Sequence, residues 1–574
     1  MKTLLKHCRV VNVFTAQIDA CDVLLSDEKI IGVDQYEPAD ADVTYDLEGK
    51  YVCPGFIDGH IHIESTTLTP AEFARATVPH GTTSIIADPH EIANVCGING
   101  IEYMLAASEG IPLTVYLALP SCVPSTPFCE SGAALPAAAL KPLYAHPRVV
   151  GLGEVMNYVG VIHQDPDLLQ KIEDARAAQK TVNGHAPLLS GQALDAYIAN
   201  GIRDDHECTS AKEAMERIRK GQRVMIRQGP NSQNLRSLLP LFEQPWASRC
   251  LLVTDDKHPA DLLTNGHIDD MIRTAVREGK DPVTAICMAT LWAAQAFDLR
   301  EVGAVAPGYV ADLLVLDDLQ SLLVRQVFRR GRVVAKDGQV LPFADPVVPA
   351  QLMQTVRDSF CLGALRAEDL ILSDGNIYKG KKACRVISVI KGELLTDQAI
   401  ETLDFDQNDG IDPARDILKL AVIERHGKTG NRGIGYIRGM GLKKGAMAAS
   451  VSHDSHNLIL IGTNEADMAV AGNRIRSLGG GFVVVADGKV IGEMPLPIAG
   501  LMSDAPAAQV ARQNEQVRRA VYQLGVPLDC KPFLTMAFVS LPVIPHLKLT
   551  THGYVHVDRQ CLVPLVVDSP TTEG

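Results

Sequence analysis

The sequence predicts an α/β protein: a parallel (β/α)8 TIM barrel inserted in a small β-sandwich domain, followed by a C-terminal α+β domain. Three observations carry this reading. From Pro54 to about Leu299, short β-branched runs alternate with helical runs eight times, the repeat count and the size, about 250 residues, of such a barrel. On either side, at 1–53 and 300–340, the texture is short β segments with no long amphipathic helix. The chain of 574 residues is also too long for one core and calls for about three or four units at roughly 150 residues each.

In chain order, β-forming runs at 9–13 and 22–25 open the small β domain. The barrel strands are expected at 52–62, 83–88, 113–119, 149–155, 180–185, 202–206, 223–227 and 251–255. Thr69-Pro70, Asp165-Pro166 and Ser210-Ala211 supply helix caps or first-turn prolines between them. A doubly wound open sheet is the structural rival, but it needs a glycine-rich first turn that is missing here. Two β runs, 311–316 and 327–334, follow the barrel and are too short for a core of their own. They are read as completing the N-terminal β domain, so that the barrel at 54–299 interrupts it. Pro342, Pro346 and Pro349 mark a linker to a domain of mixed character at 350–574, with strands near 458–461 and 481–486.

Composition narrows the partners. With 54 basic and 68 acidic residues the net charge is −14, and the isoelectric point is near 5.7. Nucleic acid and anionic membrane surfaces are therefore not expected partners. Thirteen scattered cysteines without a CxxC pair read as thiols of a reduced, cytoplasmic chain. Lys6, His7 and Arg9 break the N-terminal apolar run, and no stretch reaches membrane-spanning length, so neither secretion nor a membrane anchor is expected.

The chemistry concentrates at strand ends. His60-Ile61-His62 closes the first barrel strand, and residues i and i+2 on a strand project to one side, so both imidazoles can meet one metal ion. Alone this is weak in a chain with 17 histidines. Glu154 lies on the fourth strand, His185 ends the fifth, His206 ends the sixth and Asp255 ends the eighth. Singly, each has a plain alternative, as a helix-capping carboxylate or a hydrogen-bonded rim histidine. Together they aim four histidines and two carboxylates at the functional rim of one barrel, the nitrogen and oxygen donor set that two divalent ions require.

With the run Pro54-Gly55-Phe56-Ile57-Asp58-Gly59 before His60, these positions resemble the amidohydrolase superfamily over residues 1 to about 340. Many binuclear members bridge their metals with a carboxylated lysine on strand four, and here that strand carries Glu154 instead. This departure, with Asp88-Pro89-His90-Glu91, Thr254-Asp255-Asp256-Lys257-His258 and a long C-terminal domain containing Ser452-His453-Asp454-Ser455-His456-Asn457, resembles the bacterial adenine deaminases over essentially the whole chain. The resemblance implies hydrolytic deamination of adenine to hypoxanthine and ammonia by a metal-bridged hydroxide, in purine salvage. It implies two divalent ions, Mn or Fe with Zn also compatible, held by His60, His62, Glu154, His185, His206 and Asp255. Bound metal can lower the pKa of water from about 15.7 to about 7. Asp255 is then ligand and proton acceptor, Glu154 bridging ligand and proton shuttle, and a homodimer is expected. A cyclic amide hydrolase of dihydroorotase or hydantoinase type fits less well, lacking both the glutamate and the added domain. A non-catalytic scaffold would usually have lost ligands.

Purine selection is less legible. His90 and Glu91 either meet the ring nitrogens or serve the loop, and Asp256 and His258 either bond ligand or cap the next helix. His453, Asp454 and His456 are open to three readings: a substrate lid, a further metal site or a solvated loop. Other motifs fail: Gly427-Lys428-Thr429 has Val422 where a phosphate loop needs glycine, and Asp404, Asp406 and Asn408 precede Asp409 where a calcium loop needs glycine. Gly433, Gly435 and Gly439 lack dinucleotide-binding spacing and follow no evident strand.

Overall fold

The computed structural model describes residues 1–230, 232–372 and 378–567. The chain divides into two units. One comprises Met1–His90, Met104–Cys122 and Pro136–Val348, the other Glu91–Tyr103, Val123–Leu135 and Pro349–Gly574.

The first unit holds eight parallel barrel strands: β1 (Phe56–Ile61), β2 (Thr82–Ala87), β3 (Thr114–Leu119), β4 (Val149–Val155), β5 (Thr181–Gly184), β6 (Asp204–Asp205), β7 (Arg223–Arg227) and β8 (Cys250–Val253). Strands β1 to β5 form one hydrogen-bonded sheet and β6 to β8 another, and two seams join them. At the β5–β6 seam the Arg203 amide donates to the Val182 carbonyl at 2.9 Å. There the buried Asp204 carboxylate accepts from Asn183 Nδ2 at 2.8 Å and from the Gly184 amide at 3.0 Å, so a side chain does the work of a ladder bond. At the β8–β1 seam the Asp255 amide donates to the His60 carbonyl and the His62 amide to the Asp255 carbonyl, both at 2.9 Å. This backbone exchange fixes Asp255 in register with His60 and His62.

Apolar side chains from facing strands fill the barrel region, among them Ile57, Ile86, Val150, Met225 and Leu251. Gly59 of β1 is required there, because a Cβ would stand 2.4 Å from Leu251 Cδ1. The expected caps hold: Asp165 accepts from the Leu168 amide at 2.9 Å at the start of helix Pro166–Ala177, and Thr69 and Ser210 open Pro70–Thr77 and Ala211–Arg219.

Two strand readings change. The run at 52–62 is two strands that part at Gly55, where a Cβ would lie 2.2 Å from Thr83 Oγ1. Tyr51–Pro54 pairs with Leu313–Leu316 and with Lys2–Asn12 in a nine-stranded sheet, and only Phe56–Ile61 enters the barrel. The run at 327–334 is a hairpin, Val324–Arg329 and Arg332–Lys336, turning through Arg330 and Gly331 at φ 47° and 73°.

The second unit is built on an eight-stranded sheet, with helix Glu465–Leu478 packing on it through Met468, Ala471 and Ile475 against Leu458, Leu460 and Val483. Gly433 and Gly435 belong to its strand Arg432–Arg438, which corrects the expectation that no strand is near. A Cβ at Gly433 would stand 1.8 Å from the Thr550 carbonyl oxygen, so close backbone approach, not phosphate binding, requires glycine there. The Gly427-Lys428-Thr429 loop also has an internal occupant. The amides of Lys428, Thr429 and Gly430 donate to Glu424 Oε2 at 3.1 to 3.2 Å, filling with a carboxylate the nest that an anion would use.

The β5–β6 seam generates a prediction. Asp204→Ala strands two buried donors, at about 1–3 kcal/mol each. Differential scanning calorimetry should show a lower unfolding midpoint, and an unchanged midpoint would mean that other contacts close the seam.

Candidate metal centre

The C-terminal ends of the barrel strands converge on Glu154, buried in β4. Its Oε1 lies 3.3 Å from His62 Nε2 and 3.4 Å from His90 Nδ1. Its Oε2 accepts from His185 Nδ1 at 2.6 Å and stands 3.2 Å from His206 Nε2. Asp255 Oδ1 lies 3.3 Å from His62 Nε2 and 3.5 Å from His60 Nε2. All six expected ligands, His60, His62, Glu154, His185, His206 and Asp255, are thus brought together. His90, expected beside the purine, stands among them, its ring centroid 4.6 Å from that of His62.

The histidines are oriented from behind. His62 Nδ1 donates to the Asp88 carbonyl at 2.9 Å, which orients the ring and aims Nε2 at the carboxylates. Asp88 Oδ2 accepts the Glu154 amide at 3.0 Å, and Gly153 makes room for it, since a Cβ would meet that oxygen at 2.0 Å. Below β1, Asp58 accepts from the amides of His60 at 3.2 Å and Thr254 at 3.1 Å, and stands 3.0 Å from His267 Nε2. The carboxylate ties the first strand to the eighth. Asp255 itself has φ 64°, in the left-handed region that aspartate tolerates better than most residues.

Burial alone would raise the Glu154 carboxyl, but the charge of His185 and hydrogen bonds from His185, His206 and His62 hold it well below the usual range. Asp255 is likewise opposed by burial and held well down by His60, His62 and Arg227. Burial would lower His185, whereas Glu207 and Glu154 push it up to about 9. Such a site is anionic oxygen waiting for positive charge, supplied by protons on imidazole or by metal ions.

The donor set fits divalent metal. Buried His60 Nε2 makes no hydrogen bond, and His185 Nδ1 and His206 Nε2 face each other at 3.1 Å, where two lone pairs repel unless a proton or cation stands between them. Imidazole and carboxylate without thiolate suit Mn, Fe or Zn. The groups that could hold an ion include His60–Glu154–His206, His60–His62–Asp255 and His62–His90–Glu154.

Two site residues escaped the sequence reading. Glu207, next to His206, has Oε1 3.5 Å from both His185 Nδ1 and His206 Nε2. Arg227, the last residue of β7, bonds Glu207 and Asp255. A charge ending the apolar run Val224-Met225-Ile226 at the functional end of a barrel strand was a usable signal. Asp256 follows Asp255 into the turn before helix Pro259–Thr264, whose N-cap His258 makes no side-chain cap bond.

Glu91, His453 and Asp454 lie in the second unit. Glu91 Oε1 is 2.6 Å from His453 Nδ1, and its Oε2 bonds His456 Nε2. This trio has ligand spacing, but the Ser452 amide donates to His456 Nδ1 at 3.2 Å. Burial pulls His456 down to about 4, so near neutral pH the ring carries one proton. The Ser452 bond turns Nδ1 to the backbone and Nε2 to Glu91. The segment is no solvated loop: Ser452, Asp454, Ser455, His456 and Asn457 are buried, and the His453 ring stacks on Phe538 with centroids 4.5 Å apart.

Comparison with known proteins agrees in extent with this architecture. The amidohydrolase family model matches residues 51–334, and that of the adenine deaminase C-terminal domain matches 393–561. The chain is 45% identical over 558 residues to the adenine deaminase of Desulfatibacillum aliphaticivorans, covering 97% of this chain and 95% of that one. It is 46% identical over 565 residues to adenine deaminase 2 of Carboxydothermus hydrogenoformans, covering 98% and 96%. Against adenine deaminase 1 of Rhizobium meliloti the identity is 42% over 562 residues, covering 98% and 96%.

Glu154→Gln keeps the shape of the central side chain and removes its charge. Metal retention against a chelator, read by inductively coupled plasma mass spectrometry, should weaken at least about tenfold with the circular dichroism spectrum unchanged. Retention equal to the parent protein would remove Glu154 from the ligand set.

Proposed function

The chain belongs to the adenine deaminase family of amidohydrolases, and from that premise we propose how its residues convert adenine and water to hypoxanthine and ammonia. The observation that carries the reading is the convergence of four histidines on one buried glutamate, with Asp255 bonded into the same strand end. Amidohydrolase membership implies a divalent metal. Two ions, Mn or Fe, held by His60, His62, Glu154, His185, His206 and Asp255 are the finer proposal. Bound there, the metal supplies the Lewis acidity that makes water nucleophilic near neutral pH.

The chain's own groups manage the protons. Water adds at C6 of adenine, the exocyclic C–N bond breaks, and the oxygen stays on the ring. One water proton must reach the departing amine and the other must end on the ring of the product. Asp255 takes the first from water and delivers it to the amine; Glu154 passes the second to N1. His90 and Asp256 are proposed to contact the purine from the barrel rim, and Glu91, His453 and Asp454 to contribute to purine selection. In this reading 54–299 is the catalytic barrel, 1–53 with 300–340 its β companion, and 350–574 the deaminase-type domain. Action in the cytoplasm as a homodimer is proposed with it. Thiols without disulfides support the first, and among the described residues no helix is long and apolar enough to cross a membrane.

Protein produced with manganese supplied and iron withheld should release ammonia from adenine in preference to adenosine or guanine. Chelation should abolish the release and added Mn should restore it. A preference for adenosine would overturn the assignment to the free base.

A further inference from the structure

We propose that Arg227 is a positioning residue: anchored by Glu207, its guanidinium locks Asp255 so that one carboxylate oxygen, Oδ1, faces the histidine ligands. The inference rests on the reading that Asp255 is a metal ligand and proton carrier. Arg227 Nη1 and Nη2 donate to Glu207 Oε1 and Oε2 at 2.5 and 2.8 Å, a fork-to-fork pair. Nη1 also donates to Asp255 Oδ2 at 2.9 Å, and Nε donates to Asn234 Oδ1 at 3.1 Å. Three residues therefore fix the plane of one guanidinium, whose side chain and that of Glu207 are only 10% and 11% exposed.

The chemistry of arginine restricts its role. A guanidinium does not give up its proton in a protein, so Arg227 cannot relay protons and must act by place and charge. Holding Oδ2 stops the Asp255 carboxylate from turning about its Cβ–Cγ bond, and Oδ1 is left 3.3 Å from His62 Nε2 and 3.5 Å from His60 Nε2. The clamp has a second effect. Glu207 Oε1 stands 3.5 Å from His185 and His206, and the fork fixes where that oxygen sits beside them. A lysine at 227 would keep the charge and lose the fork, so it should not substitute. Removing either partner would leave the other charge buried and uncompensated.

The test uses the full chain with two readouts, metal retention against a chelator and the separate values of kcat and KM for adenine. Arg227→Met should lose roughly 10- to 100-fold in metal affinity and in kcat, while KM moves less than about threefold. Arg227→Lys should behave like Arg227→Met, and added guanidinium ion should recover part of the loss in Arg227→Ala. Glu207→Gln keeps the side-chain shape and should show the same losses to a lesser degree, which carries the test if the arginine variants do not fold. Unchanged metal retention and kcat in Arg227→Met, or a loss that guanidinium does not relieve, would overturn the proposal. Asp255→Asn separates the failures: if it keeps metal and turnover, the assignment of Asp255 is wrong. If it loses both while Arg227→Met loses neither, only the positioning role falls.

Discussion

The exchange of backbone hydrogen bonds between Asp255 and the His60–His62 pair is the constraint on which the site depends. It closes the barrel between its last and first strands, and the same two bonds put a carboxylate beside two imidazoles. Ring closure and the placing of Asp255 beside His60 and His62 are one event. Asp58 reinforces it from below by accepting amides from both strands. A barrel without this seam would have an open sheet edge, with Asp255 no longer held beside His60 and His62.

Gathering so many ionisable groups in a buried volume is costly unless charges are matched. Glu154 is matched by His62, His90, His185 and His206, Asp255 by His60, His62 and Arg227, and Glu207 by Arg227. Divalent ions would take over the matching that the His62 and His185 rings, both raised by the carboxylates beside them, supply in their absence. In the second unit, Glu91 faces His453 and His456, and the Ser452 amide fixes which ring nitrogen of His456 turns to it.

Much of this was legible in the sequence because strand ends of a barrel are addressable by pattern. Each of the six ligand candidates ends or sits on an apolar β run, and each such run ends on the same rim. Glu207 and Arg227 were harder to see, since a lone acid after a strand and a lone base at the end of one have ordinary surface explanations. Their meaning comes from the pairing between neighbouring strands. The fold of strand 432–438 was hidden by its glycines, which lower strand propensity yet are demanded by the Thr550 and Tyr554 neighbours. Nor could spacing reveal that 91–103 and 123–135, which fall between barrel strands in sequence, belong to the second unit.

The most direct measurement of the central claim is anomalous diffraction from crystals of the manganese-loaded protein. If the proposed two-ion site holds, two peaks appear beside Glu154, next to imidazole nitrogen and carboxylate oxygen atoms of the set His60, His62, His185, His206 and Asp255. Peaks at Glu91, His453 and His456 with none at Glu154 would contradict it.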